Sequence, residues 1–182
     1  LFFNVRDFAD AYDGKVKSGR LFRASSLTRW QDEPMLSRWL ADTGIRTIID
    51  LRHAAEMADA KAQYPSELLR GIRYVNCPLS GPPLPDRAPA PAELGRVYYA
   101  LLQEHLLAVA EALRTIAMPD AGPTVVHCHV GKDRTGLFCA LIALLLDMPR
   151  ESIVADYMLS GQGVAEKAIR DHVAGPLGMT LE

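Results

Sequence analysis

Val125-Val126-His127-Cys128-His129-Val130-Gly131-Lys132-Asp133-Arg134-Thr135-Gly136 holds a strand end, a loop and a helix start in one short stretch. Residues 123–127 form a β-branched, apolar run of the kind that makes a short buried strand. The polar, glycine-containing residues that follow cannot extend it. A helix opens at about Arg134 and runs through 135–146. Its apolar run Leu137–Leu146 ends at Asp147. That run is about half of what a membrane-spanning helix needs, so it predicts a buried core helix and no integral membrane segment.

Outward from this unit the same alternation repeats. Residues 21–24 form an early strand. Apolar residues at 35, 36, 39 and 40 have helical spacing, and Gly44 follows as the C-cap. Residues 45–51 suit a central strand, and a polar, Ala-rich helix is expected over 54–63, ended by Pro65. Residues 72–77 alternate like a half-buried strand. Residues 78–91 then hold six prolines, an irregular loop that is either a lid or substrate edge or an exposed connection. One long helix is expected over 92–117, with His105 as a satisfied or exposed helix residue. Further helices are expected from Pro149 to about 159 and over 163–173. This order predicts a single α/β domain over 1–182: a central, mostly parallel sheet of about four strands with helices on both faces. In such sheets, ligands bind beyond the carboxyl ends of the strands.

Composition agrees. The chain has 182 residues, 49% hydrophobic and 23% charged, with a formal charge of -2, which excludes disorder and a whole-chain nucleic-acid binder. Cys77, Cys128 and Cys139 are an odd, sparse set without CxxC spacing, which predicts reduced thiols and a cytoplasmic setting. The chain opens Leu1-Phe2-Phe3 without a methionine, compatible with a removed leader.

The chemistry concentrates in the first stretch. The strand delivers Cys128 at its carboxyl end, and the loop amides with the helix N-terminus form an anion cradle suited to phosphate. The same positive field stabilises a thiolate. Arg134, at the helix start, can grip two phosphate oxygens with its planar fork. A nucleophile on the floor and a clamp on the rim predict covalent phosphoryl transfer through a cysteinyl-phosphate. Other readings are weaker. His127-Cys128-His129 as a metal cluster lacks a second Cys/His group at zinc-like spacing. A nucleotide P-loop would need Gly at 126 and Ser or Thr at 133, where Val126 and Asp133 stand. A mere core thiol leaves the Gly-Lys-Asp-Arg-Thr-Gly loop without a packing rationale.

His127 through Gly136 resembles the HCxxGKDRTG signature of the cysteine-dependent protein tyrosine phosphatase superfamily. Within it, the chain resembles the bacterial tyrosine/lipid phosphatase family that secreted mycobacterial and listerial members represent. Asn4-Val5-Arg6-Asp7-Phe8 is similar to that family's N-F-R-D opening, and residues 19–27 to its G-R-L-F/Y-R-S-S-x-L segment. Residues 44–52 are similar to its G-I-x-x-V-x-D-L-R strand, and residues 153–160 to the helix after the signature. The resemblance implies a phosphatase fold, no cofactor, and phosphorylated protein or phosphoinositide as substrate, with inorganic phosphate as product. It also implies a cytoplasmic location or secretion into a host cell.

By position, the resemblance makes Cys128 the nucleophile and Arg134 the clamp, with His129, Val130, Gly131, Lys132 and Thr135 lining the phosphate. The Thr135 hydroxyl would bond the thiolate, and His127 would set the loop. Lys132 would add charge for multiply anionic inositol phosphates. The family's general acid follows the strand 72–77 in a Pro-Asp pair, but Pro78-Leu79-Ser80-Gly81 carries no carboxylate. Asp133 is then the favoured acid and Asp86, in Pro85-Asp86, the second. Asp50 and Arg52 are expected as a loop-bracing ion pair. Two rival classes are a pseudophosphatase that binds phosphorylated ligands without turnover and a thiol-redox enzyme with an anion loop.

Overall fold

Ile48 and Val125 point to one side of the sheet and Ile49 and Val126 to the other, as strand alternation requires. All four are fully buried, so both faces of the sheet are covered. A computed structural model describes residues 4–29, 33–58, 63–80 and 90–162. Its strands are β1 (Arg6–Asp7), β2 (Leu21–Ala24), β3 (Thr47–Asp50), β4 (Arg73–Asn76) and β5 (Thr124–His127). They form one sheet in the order β1-β2-β5-β3-β4. The pairs β2–β5, β5–β3 and β3–β4 are parallel, while β1 lies antiparallel on β2.

Helix α1 (Glu33–Thr43) covers the Ile48/Val125 face through Leu36 and Leu40. It ends on Gly44, whose φ of 66° lets Ile45 N reach back to Leu40 O at 3.0 Å. The opposite face packs α2 (Pro91–Glu104), α3 (Leu106–Ala117), α4 (Asp133–Leu145) and α5 (Arg150–Gln162) through Leu101, Val109, Phe138, Ile142 and Ile153. The expected layers are therefore present: a mostly parallel sheet with helices on both faces.

Three expectations change. The sheet has five strands, not about four, because Arg6–Asp7 adds an antiparallel edge too short to show an alternating pattern. Of the helix expected over 54–63, the described residues form a 3₁₀ turn, Ala54–Met57, and 59–62 lie outside them. The turn's Glu56 carboxylate accepts from His53 N at 3.0 Å and from Arg134 on α4. The helix expected over 92–117 breaks at His105, whose Nε2 sits 2.6 Å from Ser80 O and 3.1 Å from Ser80 N. His105 thus holds the start of the proline-rich loop against the α2–α3 junction. Residues 81–89, with Asp86, and the helix expected over 163–173 lie outside the described residues.

Candidate active site

Parallel register aligns the strand ends. Ala24 pairs with His127, His127 with Asp50, and Asp50 with Asn76, so these residues form one row at the carboxyl edge of the sheet. The chain beyond each brings Ser25, Cys128, Arg52 and Cys77 to the same side. A parallel sheet places ligand chemistry there.

Cys128 is the first residue past β5 and is 2% exposed. The loop 128–132 turns back so that Gly131 N donates to Cys128 Sγ at 3.3 Å. Gly131 adopts φ 73°, and a Cβ there would sit 2.5 Å from Ala24 O and 2.6 Å from Ser25 N. Any side chain at 131 would push the loop off strand β2. The first turn of α4 adds N–H groups without intrahelical acceptors, as every helix start does. Gly136 closes the motif for a different reason: a Cβ there would lie 2.7 Å from Tyr157 Cδ2, so glycine lets α5 pack closely on α4.

Arg134 projects from the first turn of α4, and its position is set by Glu56. Nη1 donates to Glu56 Oε2 at 2.5 Å and Nη2 to Oε1 at 2.7 Å, while Nη1 also reaches Leu51 O at 3.4 Å. Burial alone would raise the Glu56 pKa, but the hydrogen bonds and charge of Arg134 bring it below the ordinary carboxylate range. Burial opposes the charge on Arg134, yet Glu56 and the neighbouring Cys128 hold its pKa above the usual value. The end-on fork is thus occupied by the carboxylate. The Nε/Nη2 edge is the side of the guanidinium that Glu56 does not meet end-on.

His127 is fully buried beneath the loop. Its Nδ1 lies 3.0 Å from Cys128 O, an acceptor only, so Nδ1 carries the proton. Burial holds the imidazole below its ordinary pKa despite Asp50 Oδ2 at 3.7 Å, so the ring is neutral near pH 7. Nε2 must then accept, and the Tyr64 hydroxyl donates to it at 2.6 Å. Asp50 and Arg52 form a buried ion pair: Arg52 Nη2 lies 2.7 Å from Asp50 Oδ2, and Nε is within reach of both carboxylate oxygens. Tyr74 donates to Asp50 Oδ2 at 2.9 Å, and Arg52 Nη1 donates to Thr28 Oγ1 at 3.2 Å. This unit lies beside His127, whose Nε2 is 3.7 Å from Asp50 Oδ2.

Asp133 stands at the first position of α4, and its Oδ1 accepts from Tyr98 at 2.5 Å and Tyr157 at 3.3 Å. The two hydroxyls also touch at 2.8 Å. Asp133 is therefore held by α2 and α5. His129, Val130 and Lys132 are half-buried along the loop, and His129 Nδ1 lies 4.0 Å from Glu56 Oε1. Thr135 Oγ1 is buried beside them without a hydrogen-bond partner among the described residues. No three His, Cys, Asp or Glu side chains among the described residues stand close enough to share a metal ion, and no described helix is long and apolar enough to cross a membrane.

Sequence reasoning missed Glu56, Tyr64, Tyr98 and Tyr157. Glu56 carried one usable signal, a lone carboxylate four residues past Arg52 in an otherwise alanine-rich turn. The tyrosines carried none, because each acts through a tertiary approach.

Residues 2–177 match the tyrosine phosphatase family. A tyrosine-protein phosphatase of Nostoc commune is 33% identical over 147 residues, covering 75% of this chain and 49% of that protein. The triple specificity protein phosphatase PtpB of Mycobacterium tuberculosis is 28% identical, covering 92% of this chain and 70% of that protein. The chain thus spans about half the length of the first relative and 70% of the second. In three dimensions it is similar to the core catalytic domain of the PP-IP phosphatase SIW14 from S. cerevisiae, with a TM-score of 0.52 at 17% identity over 89% of this chain and 91% of that one. That likeness concerns the fold. With the profile match running almost from end to end over the loop described above, the chain belongs to the tyrosine phosphatase family.

Proposed function

We propose that the chain is a phosphatase that hydrolyses phosphotyrosine, with phosphoserine and phosphothreonine as further protein substrates, or phosphoinositide monoesters, through a cysteinyl-phosphate. The observation that carries this reading is Gly131 N aimed at Cys128 Sγ: a loop amide of the kind that would bind a phosphate meets the atom that would attack it.

In the first step the Cys128 thiolate attacks phosphorus, the P–S bond forms and the ester P–O bond breaks. The leaving oxygen takes the proton of the Asp133 carboxyl, whose Oδ1 is anchored by Tyr98 and Tyr157. Arg134 and the loop amides hold the three non-bridging oxygens as charge builds on them. In the second step water attacks the cysteinyl-phosphate and gives its proton back to Asp133, the P–S bond breaks, and inorganic phosphate leaves. Lys132 adds a cation at the rim, which favours multiply phosphorylated head groups.

The test is turnover of p-nitrophenyl phosphate by the wild type with and without EDTA, followed by phosphopeptides and phosphoinositide vesicles side by side. The expected result is metal-independent release of phosphate. Phosphate binding without release would reduce the chain to a phosphate-binding pseudophosphatase.

A further inference from the structure

The loop that faces the anion has an outer side, and three successive carbonyls on that side are held by donors. His129 O accepts from Ser26 N at 3.0 Å, Val130 O from Asn4 Nδ2 at 3.0 Å, and Gly131 O from Arg23 Nη2 at 3.1 Å. In a trans peptide the C=O of one residue and the N–H of the next point in opposite directions. Pulling carbonyls 129, 130 and 131 outward therefore turns N–H groups 130, 131 and 132 inward. One of these is independently seen to do so: Gly131 N meets Cys128 Sγ.

The two side-chain donors are built for this role. Asn4 is buried and adopts φ 57°, a left-handed conformation that asparagine tolerates better than most residues. That backbone sends its carboxamide across to the loop, 126 positions away in sequence. Arg23 is fully buried on β2, where Nη1 pairs with Asp156 and Nη2 bridges Gly131 O and Ser160 Oγ, the latter at 2.8 Å. Arg6 grips the same α5 groups, with Nε on Asp156 Oδ1 at 3.0 Å and Nη2 on Ser160 Oγ at 3.1 Å. Two guanidiniums share one carboxylate, so one positive charge stays behind the loop.

We infer that Asn4 and Arg23 are positioning residues that hold the loop amides in their anion-binding orientation, with Asp156 and Ser160 fixing Arg23 in place. The inference rests on the proposed phosphatase reading only for its kinetic readouts. Neither side chain touches the anion. Each acts by fixing one carbonyl, and each loss frees one peptide plane to rotate. Unlike a residue that merely supports the fold, such a residue affects anion affinity and thiol reactivity at unchanged stability.

The test uses Asn4→Gly, which keeps the left-handed backbone and removes only the carboxamide, and Asn4→Asp, which keeps the shape but opposes a carboxylate to Val130 O. Arg23→Lys keeps the charge but cannot span Gly131 O and Asp156 together. Three quantities are read: kcat and KM for p-nitrophenyl phosphate, competition by inorganic phosphate, and the rate of iodoacetamide alkylation at neutral pH. Burial pushes Cys77 and Cys139 up to about 11, so alkylation below that range reports Cys128.

Asn4→Gly should melt within a few degrees of wild type, lose roughly tenfold or more in kcat with a smaller change in KM, and bind phosphate several-fold more weakly. Cys128 alkylation should slow. Arg23→Lys should change the same quantities in the same direction. Unchanged kcat, phosphate affinity and alkylation rate in folded Asn4→Gly and Arg23→Lys would overturn the inference. Should Asn4→Gly fail to fold, Asn4→Asp is read by the same criteria. A wild type without turnover would refute the proposed activity, while phosphate affinity and alkylation would still decide the role of Asn4 and Arg23.

Discussion

Glu56 and Arg134 meet end to end, each guanidinium Nη facing its own carboxylate oxygen at 2.5 and 2.7 Å. A 3₁₀ turn after β3 thus aims a side chain that starts on α4. The pairing fixes the plane of the guanidinium and so the direction in which its remaining edge faces.

Glu56→Gln keeps the shape of this contact and removes its charge. The guanidinium should then sample other orientations, and kcat/KM for an aryl phosphate should fall roughly tenfold to a hundredfold, the scale of a small misplacement of a binding group. Stability at neutral pH should fall modestly, because the pairing that lowers the Glu56 pKa is lost. A Glu56→Gln enzyme with wild-type kcat/KM would show that Arg134 is oriented by the loop alone.

Arg134→Lys keeps the cation and loses the fork. If Arg134 binds the equatorial oxygens more tightly as the transition state develops, the loss should fall on kcat, by roughly two orders of magnitude or more. A rise in KM at constant kcat would make Arg134 a ground-state binder.

The sequence signalled these two residues unequally, and the reason is physical. Arg134 sits inside a contiguous strand–loop–helix unit whose geometry is local, so its place beside Cys128 was legible from spacing. Glu56, Tyr64, Tyr98 and Tyr157 reach the site from four other segments, and no local pattern encodes such approaches. The same division holds for the fold. The apolar runs of β3 and β5 announced central strands, whereas Arg6–Asp7 depends on an edge pairing with Phe22 and Arg23 that no two-residue pattern reveals. The break at His105 arises because its imidazole is engaged by Ser80, far from it in sequence.

Asp133 carries a prediction that separates an acid from a brace. A general acid matters most for a poor leaving group, since a good one departs without a proton. Asp133→Asn should therefore slow an aryl phosphate with a poor leaving group far more than p-nitrophenyl phosphate and flatten the basic limb of the pH–rate profile. Asp86→Asn should do little of either. Equal slowing of both substrates would leave Asp133 as an anchor for Tyr98 and Tyr157.

His127 predicts a pH dependence of stability. Burial lowers its folded-state pKa below the unfolded value of about 6.5, so the unfolded chain binds more protons in the window beneath that value. Its contribution is therefore fully present above about pH 6.5 and is lost as pH falls towards the folded pKa. Melting temperatures from pH 8 to 5 should decline on the acid side, and His127→Asn should flatten that decline whatever its absolute stability. An unchanged slope in His127→Asn would assign the effect to other groups.

Cys128 is the centre of the account, and the most direct measurement is the turnover of p-nitrophenyl phosphate by Cys128→Ser. The loop amides and Arg134 remain in that variant, so inorganic phosphate should still bind. Because the nucleophile carries the covalent step, turnover should fall below about a thousandth of the wild-type rate. Turnover well above that level, with phosphate binding intact, would contradict a cysteinyl-phosphate intermediate.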